Sequence, residues 1–148
     1  AVSVMRMIPQ GTQLARNIVG LQEEIKKLLG DKVILNRADR LHTTLKILSD
    51  KDQDVPFAPG KIEALNKSFA KLIRDTKQSP FKIYFEGVGI SPRGGIFIQG
   101  YPEEWSIDEG LRRPTYHISI GAIVGELTEK EFNALVHLID ANYREKPF

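Results

Sequence analysis

Cysteine is absent from all 148 residues, which removes disulfides, thiolate nucleophiles and cysteine-based zinc spacings together, and suits a reducing compartment. Histidine is scarce too, with three in the chain, so each can be followed individually. No apolar run approaches the roughly 20 residues of a membrane span. Residues 1–9 are short, and uncharged at their start, for a signal peptide. The expectation is a soluble, cytosolic protein. Charge of one sign is lacking as well: 21 Lys and Arg stand against 19 Asp and Glu, so the whole-molecule field gives no drive to coat nucleic acid or membrane nonspecifically. The balance is uneven along the chain, with 13 basic against 8 acidic residues over 1–74 and 8 against 11 over 75–148. That asymmetry hints at an anionic ligand near the first half. The length suits one domain, 1–148, that buries most of the surface its unfolded chain exposes.

What is present alternates between the strand and helix periods. Val2, Val4, Met5, Met7 and Ile8 form a first strand that Pro9 and Gln10-Gly11 end. Leu14, Ile18, Leu21, Ile25, Leu28 and Leu29 recur at helical spacing, with Glu23, Glu24, Lys26 and Lys27 on the wet face and Gly30 as the stop. Gly20 inside that helix costs up to about 1 kcal/mol against alanine. Val33-Ile34-Leu35 is brief enough for an edge or connecting strand, and polar residues 36–40 lead on from it. Ser49–Gly60, with three Asp, two Pro and a Gly, is a loop and a candidate flap. Lys61–Arg74 restores the helical period. Phe81, Ile83 and Phe85 alternate with Lys82, Tyr84 and Glu86 as a half-buried strand, and Gly95–Gln99 is its expected partner across a Gly87–Gly94 connection. Tyr101–Arg113 is expected to be irregular, a lip that carries Trp105. Thr128-Glu129-Lys130-Glu131 is a capping box opening a last helix. The plan is strand, helix, strand, twice over.

Two short stretches carry the chemistry. Leu41-His42-Thr43-Thr44-Leu45 and Thr115-Tyr116-His117-Ile118-Ser119-Ile120 each hold a His-x-hydroxyl triplet in an apolar run, 75 positions apart. Successive side chains of a strand point to opposite faces, so His42 shares a face with Thr44, and His117 with Ser119. An imidazole and a hydroxyl aimed the same way can hold one phosphate oxygen and trade a proton with another. Two such units facing each other supply an acid, a base and two oxyanion donors without a metal.

Taken with the intervening strand pair ending in Gly-x-Gly and an aliphatic run (residues 85–99), this arrangement resembles the 2H phosphoesterase superfamily over most of the chain. That superfamily includes 2′-5′ RNA ligase-like proteins, cyclic phosphodiesterases, viral 2′,5′-oligoadenylate phosphodiesterases and phage proteins that cleave cyclic oligonucleotide signals. The resemblance implies an α+β fold that is bilobal, two related antiparallel sheets forming a central cleft with helices outside. It implies a phosphodiesterase with His42, Thr44, His117 and Ser119 as its catalytic residues and no cofactor. Ser119 stands where threonine is frequent in the family, and keeps the hydroxyl. The compact chain favours a signal-degrading viral or phage type, acting in the host cytoplasm, over an RNA-repair type.

The substrate implied is a small nucleotide or short oligonucleotide, with a 2′,3′-cyclic phosphate, a 2′,5′ bond or a cyclic 3′,5′ linkage left open, as is the division of acid and base between the histidines. An unperturbed imidazole titrates near pH 6.5, suited to either role. Lys46 continues the face of His42 and Thr44 and either reaches a phosphate or is simply exposed. Arg93, in Ser91-Pro92-Arg93-Gly94-Gly95, is a turn residue and a phosphate candidate. Trp105 and Tyr116 are candidates for stacking on a base, with core packing the alternative, and the stronger one for Tyr116. His137 falls on the last helix as a packing or surface residue. It completes no metal site, since zinc wants three or four ligands and no second histidine is near in sequence. No membrane partner and a monomer are the default. The rival class is a binding module that holds a nucleotide or RNA in the same cleft without turnover.

Overall fold

Apolar side chains at helical and alternating spacing have to be buried on a common side, and in this chain that requirement builds one sheet with the first helix packed against one face. The computed structural model describes residues 2–49, 60–75, 82–103, 115–144 and 146–148, the side chains of 2, 4, 46–49, 62, 72, 73 and 75 excepted. Among them the elements run β1 (Val2–Met7), α1 (Gln13–Leu29), β2 (Val33–Leu35), β3 (His42–Ser49), α2 (Lys61–Asp75), β4 (Ile83–Ile90), β5 (Gly95–Pro102), β6 (Tyr116–Ile123) and α3 (Glu129–Asn142). The fold is α+β. All strand pairs are antiparallel, in the order β1-β3-β6-β5-β4, with β2 also on β6. β3 and β2 therefore share one edge of β6: β3 meets it at Ile118, and β2 at Gly121, Ala122 and Ile123.

α1 starts at Thr12, whose hydroxyl accepts from the Ala15 amide, and stops at Gly30, where φ is 55° and a side chain would be strained. Its inner stripe, Ala15, Ile18, Leu21, Ile25 and Leu29, joins Leu41, Ile96, Ile98, Ile118, Ile120 and Leu135 in the core. One polar residue shares that stripe. Gln22 is buried, and its amide donates to the carbonyls of Asn36 and Ile120, both at 2.9 Å, which pins α1 to β6 and to the start of the β2–β3 connection. α3 packs along α1, where Tyr143 donates to the Glu24 carboxylate at 2.7 Å. Burial and that bond push the Tyr143 phenol up to about 12.

The strand pairing differs from the sequence expectation at two places. β4 does not stop at Gly87 but runs on to Ile90, because Gly87, at φ 78°, is absorbed as a bulge between Phe85 and Val88. The hairpin closes more tightly through residues 91–94, with Gly94 at φ 87°. Tyr101 and Pro102, expected in an irregular lip, instead extend β5 opposite Tyr84 and Ile83. Trp105 and the other residues from 104 to 113 of that lip lie outside the described residues, as do residues 50–59 of the candidate flap. No described helix is long and apolar enough to cross a membrane.

The capping box on α3 gives a pH prediction. Glu131 accepts from Lys32 at 2.6 Å and from the Thr128 amide at 3.0 Å, and these bonds, the one to Lys32 first, hold its carboxyl at about 2 instead of 4.5. A lowered folded-state pKa means that the unfolded chain takes up the proton first as pH falls. The stabilisation is therefore whole above about pH 4.5 and fades down to about pH 2. Glu131 and Lys32 both keep part of their side chains in water, so solvent keeps the effect modest. The melting temperature of wild type should fall more steeply than that of Glu131→Gln across that window, and parallel slopes would refute the linkage.

Candidate active site

The site follows from one ladder pair. Thr43 on β3 faces Ile118 on β6, and both are buried, at 1% and 0% exposure. The residues on either side of each must then point to the opposite face, away from α1. Continued one position each way, the same antiparallel register sets His42 across from Ser119 and Thr44 across from His117. The burial pattern agrees: Leu41, Thr43, Tyr116, Ile118 and Ile120 are buried, while His42 and Thr44 are half-exposed and His117 and Ser119 exposed. Two triplets 75 residues apart in sequence thus form one polar quadrilateral. Its histidines lie on a diagonal, where Cβ atoms of such cross-strand neighbours are roughly 7 Å apart.

His42 is held by its own chain, with Nδ1 lying 2.9 Å from the Arg40 carbonyl. A carbonyl can only accept, so Nδ1 carries hydrogen and Nε2 is the nitrogen left for chemistry, as a lone pair when the ring is neutral and an N–H when charged. His117 meets the Phe97 ring edge to face, at 6.0 Å between centroids and 71° between planes. The strand beneath it is fixed by Gln99, directly opposite His117, whose amide donates to the Tyr116 carbonyl at 3.2 Å. Ser119 is held through its backbone: the Asn36 side-chain amide donates to the Ser119 carbonyl at 2.8 Å, and the Asn36 N–H to the Ile120 carbonyl at 3.0 Å. Asn36 begins the connection that ends at Arg40 and His42, so a short segment, itself anchored by Gln22, spans from one triplet to the other.

A hollow of about 380 Å³ opens beside His117 and Ser119, walled by Ser91, Gly95, Phe97 and Gln99. Arg93 sits exposed on the turn at its end. Tyr116, a stacking candidate with core packing as the stronger alternative, packs in the core: it is 1% exposed, so the stacking reading is corrected and its ring is not offered to a ligand. Lys46 lies on β3 opposite Val4, its side chain outside the described residues. His137 is exposed on α3, beside Glu24 and Lys27, away from the sheet's open face. Among the described residues no three His, Asp or Glu side chains gather as a metal-ligand set.

Sequence reasoning passed over Gln22, Asn36, Phe97 and Gln99 as parts of this site. Gln22 had a readable signal, a lone amide four residues after Ile18 on an apolar stripe. The others are found only by cross-strand register. Comparison with protein-family models gives no match, and no curated protein and no solved structure matches the chain.

Proposed function

We propose that this chain is a metal-independent phosphodiesterase of the 2H phosphoesterase type, acting on a small nucleotide or short oligonucleotide through His42 and His117. The observation that carries it is the Thr43–Ile118 pair, which sets both His-x-hydroxyl triplets side by side on one open face. In the reaction one neutral imidazole takes a proton from water, or from a ribose hydroxyl, as that oxygen attacks phosphorus. The other imidazole, protonated, gives its proton to the departing oxygen. Thr44 and Ser119 donate to the non-bridging oxygens as charge gathers on them. The bilobal architecture belongs to the same proposal: β1 with β3 forms one lobe and β4, β5 and β6 the other, hinged where β3 touches β6.

A turnover screen with 2′,3′-cyclic nucleotides, 2′,5′-oligoadenylate and cyclic dinucleotides, all in EDTA, tests this. Product from at least one class is expected, because acid, base and oxyanion donors are side chains. Binding without product would favour a binding module, and activity lost in EDTA but restored by a divalent ion would overturn the mechanism.

A further inference from the structure

The open face of the sheet carries more than the polar quadrilateral, and what flanks it points to the substrate. β1 pairs with β3 so that Met7 lies opposite His42 and Met5 opposite Thr44. Directly paired residues share a face, and the two methionines are 42% and 44% exposed. On the far side, β5 sets Phe97 opposite Ser119 and Gln99 opposite His117. Across the four strands the face therefore reads Met7, His42, Ser119, Phe97 in one row and Met5, Thr44, His117, Gln99 in the next. Polar groups occupy the middle, Met5 and Met7 form one margin, and the other margin sets the Phe97 ring beside the polar Gln99.

Each margin is built rather than incidental. Phe97 lies over Gly89 of β4, where a Cβ would come within 2.4 Å of the ring. The missing side chain lets the ring lie low on the sheet against His117 instead of standing off it. At the other margin two methionines on one face, separated by Arg6 pointing the other way, leave thioether surface in water beside the reacting groups. Methionine sulfur packs favourably on aromatic rings and adapts to their shape. The two margins are three strand spacings apart, about 14 Å. That is far wider than a pair of stacked bases.

We propose that the substrate is a phosphodiester joining two nucleosides, linear or cyclic, with its bases splayed onto opposite shelves: one on Met5 and Met7, the other on Phe97. The inference rests on the phosphodiesterase reading above. A nucleoside 2′,3′-cyclic phosphate carries one base and fills one shelf, leaving the other wet. A two-base substrate uses both and places its scissile phosphate over the quadrilateral between them.

The test measures kcat/KM for a 2′,5′-linked adenylate dinucleotide, a cyclic dinucleotide and adenosine 2′,3′-cyclic phosphate, with wild type, Met5→Ala/Met7→Ala, Phe97→Ala and Phe97→Leu. His42→Ala serves as the catalytic control. Wild type should prefer at least one two-base substrate over the one-base compound by tenfold or more, on the order of one shelf's stacking contribution. Phe97→Ala should lower turnover of the preferred substrate by roughly 5- to 150-fold, with Phe97→Leu intermediate. The methionine pair should lower it by about 2- to 10-fold. A one-base substrate depends on one shelf, so its pattern across the variants should differ from that of the two-base substrate. Equal losses on both substrates would mean that Phe97 and the methionines merely position the strands, and would overturn the proposal. His42-dependent turnover of the cyclic mononucleotide alone would overturn it while leaving the phosphodiesterase intact. No turnover of any of the three by wild type would remove both.

Discussion

His42→Ala and His117→Ala should each lower kcat/KM by on the order of a hundred- to ten-thousandfold while leaving the melting temperature almost unmoved. Both imidazoles stand on the face opposite the buried core, His42 half-exposed and His117 exposed, so neither fills core volume. Stability should change by no more than about 1 kcal/mol at either position. The double variant should lose far less than the product of the two single losses, because a base without its acid is already disabled. Thr44→Val and Ser119→Ala should cost less, on the order of a hundredfold each, as donors to a developing oxyanion do. His137→Ala, exposed on α3, should leave the rate alone. The measurement is a rate and a melting curve on each protein. Rates equally impaired at positions 42, 117 and 137, or a loss of stability at the first two, would reject the active site.

The faces of the two triplets were legible because a strand has a fixed period of two and each triplet sits between large apolar residues. Leu41, Tyr116, Ile118 and Ile120 could only go inward, so His42, His117 and Ser119 had to go out. The helix ends were legible for a similarly local reason: Thr12, Gly30 and the Thr128–Glu131 box satisfy backbone groups within a few residues of themselves. What could not be read was register. Nothing local to residues 41–48 says that β3 will meet β6 at Ile118, or that β1 will bring Met5 and Met7 alongside, because those pairings depend on chain tens of residues away. Gly87 misled for the opposite reason. A glycine in an alternating run signals a turn or a bulge equally well, and the choice depends on whether the partner strand continues, as Gly100, Tyr101 and Pro102 of β5 do here. Tyr116 shows the limit of composition. It is one residue from His117 in sequence, yet its ring lies on the other face of the sheet.

The same alternation gives the second large expectation, one of stability. Ile118 stands between His117 and Ser119 in sequence, yet it is wholly buried, facing Thr43 on β3 and Ile98 on β5 beneath α1. Ile118→Ala removes buried methyl and methylene groups where three strands and a helix meet and can only partly collapse, so it should destabilise by about 2–5 kcal/mol. In a domain of this length that corresponds to a fall of about 4–20 °C in melting temperature. Ile118→Val should cost only about 0.5–1.5 kcal/mol and keeps the comparison usable if the alanine variant fails to fold. Below its transition the Ile118 variant should retain far more activity than His117→Ala, since both hydroxyls and both imidazoles remain. Thr43→Val should move the other way. The Thr43 hydroxyl is buried with no partner among the described residues, and replacing it with a methyl of similar shape relieves an unsatisfied polar group worth about 1–3 kcal/mol. An inactive but fully stable Ile118→Ala, or a Thr43→Val that unfolds, would mean that β3 and β6 present the opposite faces, and the quadrilateral of His42, Thr44, His117 and Ser119 would then point into the core.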